Sequence, residues 1–318
     1  MSDVDSVSTI VLSGGVGGAK FASGLHDIFA PGELAVIVNT GDDFDHLGLR
    51  ICPDIDSVTY ALAGINDEKR GWGRDHETWN ARETLSQLGA DNWFALGDKD
   101  IGLHLFRRLW LQQGKTLAEI THTISGQLGI RCPIVPMTES IVETFLETDQ
   151  GTLNFQDYFV KYQGAPRVHR LDYRGAATAI LHSLAVTALN SKKLKAILIA
   201  PSNPFLSIDP ILAIPESREL ISRCGRPVIA VSPLVRGRAL KGPLTEMMES
   251  LGIPRSATGI AAHYKGLISG MIIDSADEAE AKTLDIPVCI TSTIMSDRAT
   301  RQALARTALE FAGSLANA

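Results

Sequence analysis

Five aspartates, Asp42, Asp43, Asp45, Asp54 and Asp56, fall within fifteen residues of this chain, several times the density that 36 acidic residues in 318 would place there. Packed carboxylates repel one another unless a cation or a proton intervenes. Upstream of them lies SGGVGGAKF, with glycine at positions 14, 15, 17 and 18. A short apolar run, Ile10, Val11 and Leu12, enters the glycines, and helical spacing at Ala19, Ala22 and Leu25 leaves them. Strand, glycine loop and helix in that order point backbone N–H groups and the positive end of a helix dipole at one spot, a natural seat for a phosphate. Phosphates beside carboxylates call for Mg²⁺, which binds through one or two carboxylates plus substrate phosphates. Gly14, Gly15, Gly17 and Gly18 are therefore the candidate phosphate cradle, and the five aspartates as a group the candidate region for a cation. Two plainer readings stand beside these. The glycines could serve a tight turn only, and Asp54 or Asp56 could simply cap the helix expected over 57–64.

The glycine loop fits neither of the common nucleotide fingerprints. A Walker A loop ends in Gly-Lys-Ser/Thr, where this chain has Ala19, Lys20 and Phe21. A dinucleotide fingerprint would need glycine at Lys20, and the next strand ends in Asn39 rather than in the acidic residue that grips a ribose. NAD is set aside on that ground. Three further loops carry polar residues after apolar stretches. LGDKD, 96–100, offers Asp98 to the acidic cluster and Lys99 to a phosphate, with helix capping as the alternative for Asp98 or Asp100. APSNPFLSIDP, 200–210, is fixed by its prolines and presents Ser202, Asn203 and Ser207. VSPLVRG, 231–237, brings Ser232, with KGP following at 241–243. Together with the first loop they outline a nucleotide-sized cleft.

These residues must be held by a frame, and the periodicity supplies one. Apolar strands expected over 34–38, 196–200, 228–231, 271–273 and 288–290 alternate with helical segments, without the in-and-out alternation of a half-solvated sheet. That pattern predicts an α/β fold, a three-layer αβα Rossmann-like, mostly parallel sheet covered on both faces. A hairpin is expected over 141–151, and a run of amphipathic helices predicts a helical insertion at about 57–130. With no linker or repeat, the chain reads as a single αβα domain over 1–318. Its 45% apolar content supports a substantial core, and a net charge of −6 with 30 basic residues and no basic block argues against nucleic acid. Four scattered cysteines suit a reducing compartment. The polar opening MSDVDSVS and the lack of a long apolar run point to a cytoplasmic protein with no membrane partner.

In order along the chain, SGGVGGAKF, NTGDDF, GLRICPDIDSV, RGWGRDHETWNA, LGDKD, FQDYFV, APSNPFLSI with PIL, and VSPLV with KGP resemble the 2-phospho-L-lactate transferase family of coenzyme F-420 biosynthesis. The likeness runs from about residue 9 to about 293. It implies a metal-dependent transferase that moves a phospho-(three-carbon acid) group, 2-phospholactyl, enolpyruvyl phosphate or phosphoglyceryl, from a guanosine diphosphate-activated donor to the terminal hydroxyl of the deazaflavin Fo, releasing GMP. Position by position it implies that Gly14, Gly15, Gly17 and Gly18 cradle the phosphates. Ser202, Asn203, Ser207 and Ser232 would hold the guanosine end. Asp42, Asp43, Asp54 and Asp56 would form the metal and acceptor region, with Asp54 and Asp56 catalytic, and a homodimer is implied as well. Some members carry Arg where Lys99 stands. Trp72 and Tyr158 are candidate stacking partners for a flat ring. The competing class is a nucleotide-sugar-binding regulatory protein of a sister branch, which has a similar glycine loop.

Overall fold

The apolar runs assemble into one central sheet. In the computed structural model, which describes residues 4–91 and 93–316, seven strands are β1 (Thr9–Ser13), β2 (Leu34–Val38), β3 (Ile134–Pro136), β4 (Ala196–Ile199), β5 (Val228–Val231), β6 (Gly270–Asp274) and β7 (Val288–Thr291). The first three residues of the polar opening, and Asn92, lie outside the described residues. The spatial order is β7-β6-β5-β4-β1-β2-β3, and every pairing is parallel. The strands lack alternation because both faces are buried. Ile10 and Leu12 of β1 enter one core cluster with Ala185, Ile221 and Met247. Val11 between them enters the other, with Phe21, Val58 and Leu304. Helices α1 (Gly15–Ile28) and α2 (Pro53–Ala63) and the C-terminal helix (Arg298–Ala316) supply that second face. Phe21 is wholly buried there, which contributes roughly 2 kcal/mol.

The order of strands decides where a ligand can sit. From β1 the chain steps outward through β2 to β3, then returns to β4 on the other side of β1 and continues to β7. The loops leaving β1 and β4 therefore diverge, and the crevice between them at the carboxyl ends is the switch point where α/β sheets bind ligands.

The helical insertion lies between β2 and β3. It comprises a small hairpin (Phe44–His46 with Leu49–Ile51), α2, α3 (Asn80–Gln87), α4 (Asp98–Gln112) and α5 (Leu117–Gln127). Helix α5 opens with a reciprocal capping box between Thr116 and Glu119. Helix α2 starts at Pro53, earlier than the apolar spacing indicates, because proline suits a first helical turn. Asp54 and Asp56 thus stand in a helix and not in a loop. The apolar stretch 93–96, which precedes LGDKD and reads as a strand, forms none. Trp93 and Phe94 instead pack their rings on Phe44, with centroids 5.9 and 4.9 Å away. The hairpin Glu143–Thr148 with Gly151–Asn154 forms, and a third strand, Val168–Arg174, joins it on the other edge. The helix expected over 176–189 divides into a 3-10 turn, Ala176–Thr178, and a helix, Ser183–Leu189, with Ala179 extended between them.

Candidate active site

The glycine loop is shaped by what comes close to it. Gly14 is extended and Gly15 has φ +63°, the left-handed region in which a β-carbon is strained. A β-carbon on Gly14 would strike the Asp54 carboxylate and stand 2.7 Å from Ser207 Cβ, and one on Gly17 would strike the carbonyl of Pro201. One on Gly18 would lie 2.5 Å from both Ser13 Oγ and Ser202 Oγ. The glycines therefore let three elements converge on the start of α1: the end of β1, the start of α2 and the loop after β4. First-turn N–H groups have no partner within their own helix. One of them, Gly15 N–H, donates to Asp54 Oδ1 at 2.7 Å.

Asn39, at the carboxyl end of β2, ties this junction together. Its Nδ2 donates to Asp54 Oδ2 at 2.9 Å and to the Leu206 carbonyl at 3.2 Å, while its Oδ1 accepts from Gly41 N–H at 2.7 Å. The side chain that argues against a dinucleotide is thus a crosslink among β2, α2 and the β4 loop. Ser202 Oγ donates to the Gly14 carbonyl at 2.7 Å, so the β4 loop is pinned to the glycine loop.

Next to this junction lie buried carboxylates that are only partly satisfied. Asp42, Asp43 and Asp54 are each about 5% exposed. Asp42 Oδ1 and both carboxylate oxygens of Asp43 have no hydrogen-bond partner, nor does the nearby Thr144 Oγ1. The closest cation to Asp43 is Arg50, at 3.9 Å. Burial raises the Asp42 carboxyl well above its ordinary value, helped by the charges of Asp54 and Asp43. Burial pushes Asp43 up to about 7 against the partial relief of Arg50. Asp54 is pushed up to about 6 by burial, with the Asn39 and Gly15 hydrogen bonds holding it down. Among the described residues no three His, Cys, Asp or Glu side chains form a ready cage for a metal ion. The orphaned oxygens and mutual repulsion do fit a cation that completes its shell with ligand phosphates.

Other candidate residues are placed differently. Asp56, one helical step from Asp54, faces away into the insertion, where Arg107 of α4 grips both its oxygens. Arg107 is 1% exposed and also donates to the Arg50 carbonyl at 3.1 Å. Its Nη1 lies 3.1 Å from Nδ1 of His104, whose pKa burial lowers to about 4, so the neutral ring accepts. Asp45 is exposed beside Arg50. Asn203 uses its Oδ1 to cap the turn after it, accepting from Phe205 and Leu206 N–H at 3.0 and 3.3 Å. Ser232 accepts from Leu234 N–H at 3.2 Å and shapes its own loop.

Asp98 does not approach the acidic cluster. Its carboxylate accepts from Thr78 Oγ1, Asn80 and Ala81 N–H at the start of α3, which holds its pKa down to about 2. In exchange Glu77 accepts from Lys99 and Asp100 N–H, both at 2.9 Å, at the start of α4, and Lys99 Nζ donates to the Asp75 carbonyl. Tyr158 is 1% exposed and belongs to the core, whereas Trp72 is 43% exposed with the Arg70 guanidinium 4.9 Å above its ring.

Comparison with known proteins decides the family. The model of the family described as 2-phospho-L-lactate transferase CofD matches residues 9–305. The chain belongs to that family. It is accordingly an enzyme of the phosphotransferase type. It is 35% identical over 271 residues to the 2-phospho-L-lactate transferase of Methanosarcina mazei, covering 85% of this chain and 88% of that one. To the phosphoenolpyruvate transferase of Streptomyces griseus it is 36% identical over 314 residues, covering 95% and 98%. To the 2-phospho-L-lactate transferase of Methanocaldococcus jannaschii it is 36% identical over 309 residues, covering 96% and 98%. Relatives named for two different acids thus stand at the same distance. Among solved structures, a UPF0052 family protein from Bacillus halodurans shares the fold, with a TM-score of 0.58 at 15% identity over 90% of this chain and 92% of that one. Among the described residues no helix is long and apolar enough to cross a membrane.

Proposed function

We propose that this enzyme transfers a phospho-(three-carbon acid) group from a guanosine diphosphate-activated donor to the terminal hydroxyl of the deazaflavin Fo, with GMP as leaving group, in coenzyme F-420 biosynthesis. One observation carries the reading beyond the family: the buried Asp54 carboxylate is held against a glycine-lined helix start, and Asp42, with an orphaned oxygen, stands close enough to feel its charge. Phosphoryl transfer asks for positioning and neutralisation of charge and needs no covalent nucleophile. The first turn of α1 would bind the donor phosphates, with Ser207 and Ser202 at its rim. Asp42, Asp43 and Asp54 would hold Mg²⁺, which when bound neutralises charge on the phosphates and on the carboxylates alike. Asp54 is fixed by Asn39 and Gly15 and would take the proton of the attacking hydroxyl as the new P–O bond forms and the bond to GMP breaks. Asp56 acts at a distance, by anchoring α2 to Arg107. Asn203 and Ser232 shape the loops facing the guanosine end.

Mass analysis of a mixture of the protein, Fo, each guanosine-activated acid and Mg²⁺ tests this. A phosphodiester of Fo together with GMP is the expected result. Tight binding of a nucleotide sugar, with no Fo product from any donor, would overturn it in favour of a regulatory binding protein.

A further inference from the structure

On the side of α1 away from the carboxylates the charge reverses. Lys20 stands in the second turn of α1, and its half-buried ammonium donates to the Met295 carbonyl at 3.1 Å, in the loop after β7. Side chains on a helix lean toward its N-terminus, so Lys20 serves the same end of α1 as the glycine loop. The ammonium of Lys241, in the loop after β5, lies where a β-carbon on Gly71 would stand, and it has no hydrogen bond or ion pair among the described residues. Arg301 of the C-terminal helix pairs with Glu68 at 2.5 Å, yet its buried Nε has no partner. Three cations thus stand together, and the one carboxylate beside them, Glu68, is already engaged by Arg301. Burial lowers the pKa of Lys20, and the charges of Arg301 and Lys241 lower it further. Cations drawn together and partly stripped of water are costly unless an anion completes them.

We propose that Lys20 and Lys241 bind the carboxylate of the donor's three-carbon acid. The inference rests on the function proposed above, because that reading names the ligand. Such a donor carries phosphates, for which the start of α1 and the acidic side with its cation already account, and one further anion, the acid's carboxylate. Among the described residues, Lys20, Lys241 and Arg301 supply charge of opposite sign at this end of α1. It is reached from the loops after β5 and β7, across α1 from Asp42 and Asp54. The strap over 66–74 brings Glu68 and Gly71 against these cations, so the pocket is framed by chain that follows α2.

Calorimetry without Fo tests the assignment on the full-length protein, using Lys241→Met and Lys20→Met. Lys241 is exposed, and its loss leaves no buried group unpaired. The guanosine-activated acid should weaken by about tenfold or more in each variant, the scale of one charge-assisted hydrogen bond. GDP, which lacks the carboxylate, should keep the parent's affinity. Equal weakening of GDP and donor would put the lysines on the phosphates and overturn the proposal. Unchanged donor affinity in both variants would overturn it too. A parent protein that binds neither guanosine ligand would bring down the functional reading along with this one.

Discussion

Two acidic regions of this molecule look alike in sequence and are opposite in physics. In the insertion, the carboxylates that tie its helices together are answered. Asp56 is gripped by Arg107, Asp100 accepts from Tyr60 OH at 2.7 Å, and Asp98 and Glu77 exchange caps between α3 and α4. Around β2 the carboxylates are buried just as deeply, but Asp42 and Asp43 keep orphaned oxygens. A buried, unsatisfied polar atom costs stability, and a fold retains it where something else gains. Acidic density alone therefore does not mark the site. Unmet demand does.

Breaking the satisfied side should have the largest effect, and on stability. Arg107→Met would leave Asp56 buried and unpaired, a loss of about 3–5 kcal/mol. Denaturant unfolding measures it, and adding Asp56→Asn should recover much of the loss if the pair is what matters. On the unsatisfied side the large effect should fall on rate. Asp54→Asn keeps shape but turns one acceptor into a donor facing Gly15 N–H or Asn39 Nδ2; turnover should drop at least about a hundredfold, roughly 3 kcal/mol in barrier, while the melting temperature falls less than in Arg107→Met. Near-parent turnover at saturating Fo and Mg²⁺ would erase the distinction between the two regions.

A subtler separation comes from pH. With Asp43 raised from 3.8 to about 7 in the folded protein, the native state binds more protons than the unfolded chain between those values. Stability should therefore fall as pH rises from 4 to 7. Asp43→Asn should flatten this component in metal-free protein, and melting curves at several pH values show whether it does. The smallest effect belongs to Asp98→Ala. Helix α3 buries no residue, so the start of that helix should fray with a slight drop in melting temperature, and turnover should stay close to the parent's.

Much of this was legible beforehand, and the rest was hidden for definable reasons. The continuous apolar runs at Ile10–Leu12 and over 34–38 revealed a sheet buried on both faces, and the glycines at 14, 15, 17 and 18 marked where three elements meet closely. The separate fates of Asp54 and Asp56 could not be read, since Asp56 is answered by Arg107, fifty-one positions away on another helix. Asn39 counted only as the absence of an acidic residue, although its place at the end of β2 was itself the signal of a crosslink. Trp93 and Phe94 suggested a strand because an aromatic cluster and a strand draw on the same residues. The basic group around Lys20 left no local mark, being gathered from three separate segments.

The close fit of α1 against the C-terminal helix bears on how the enzyme is made. A β-carbon on Gly24 would strike the carbonyl of Arg301, and Lys20 reaches Met295, so the first helix of the sheet completes its packing only with almost the last residues of the chain. Central strand β1 likewise awaits β4. Contacts this distant in sequence slow folding. Until residues 298–316 have been synthesised, α1 therefore lacks the helix that covers its Gly24 face. On the function proposed above, a guanine nucleotide should favour that docking step over aggregation of the half-made sheet.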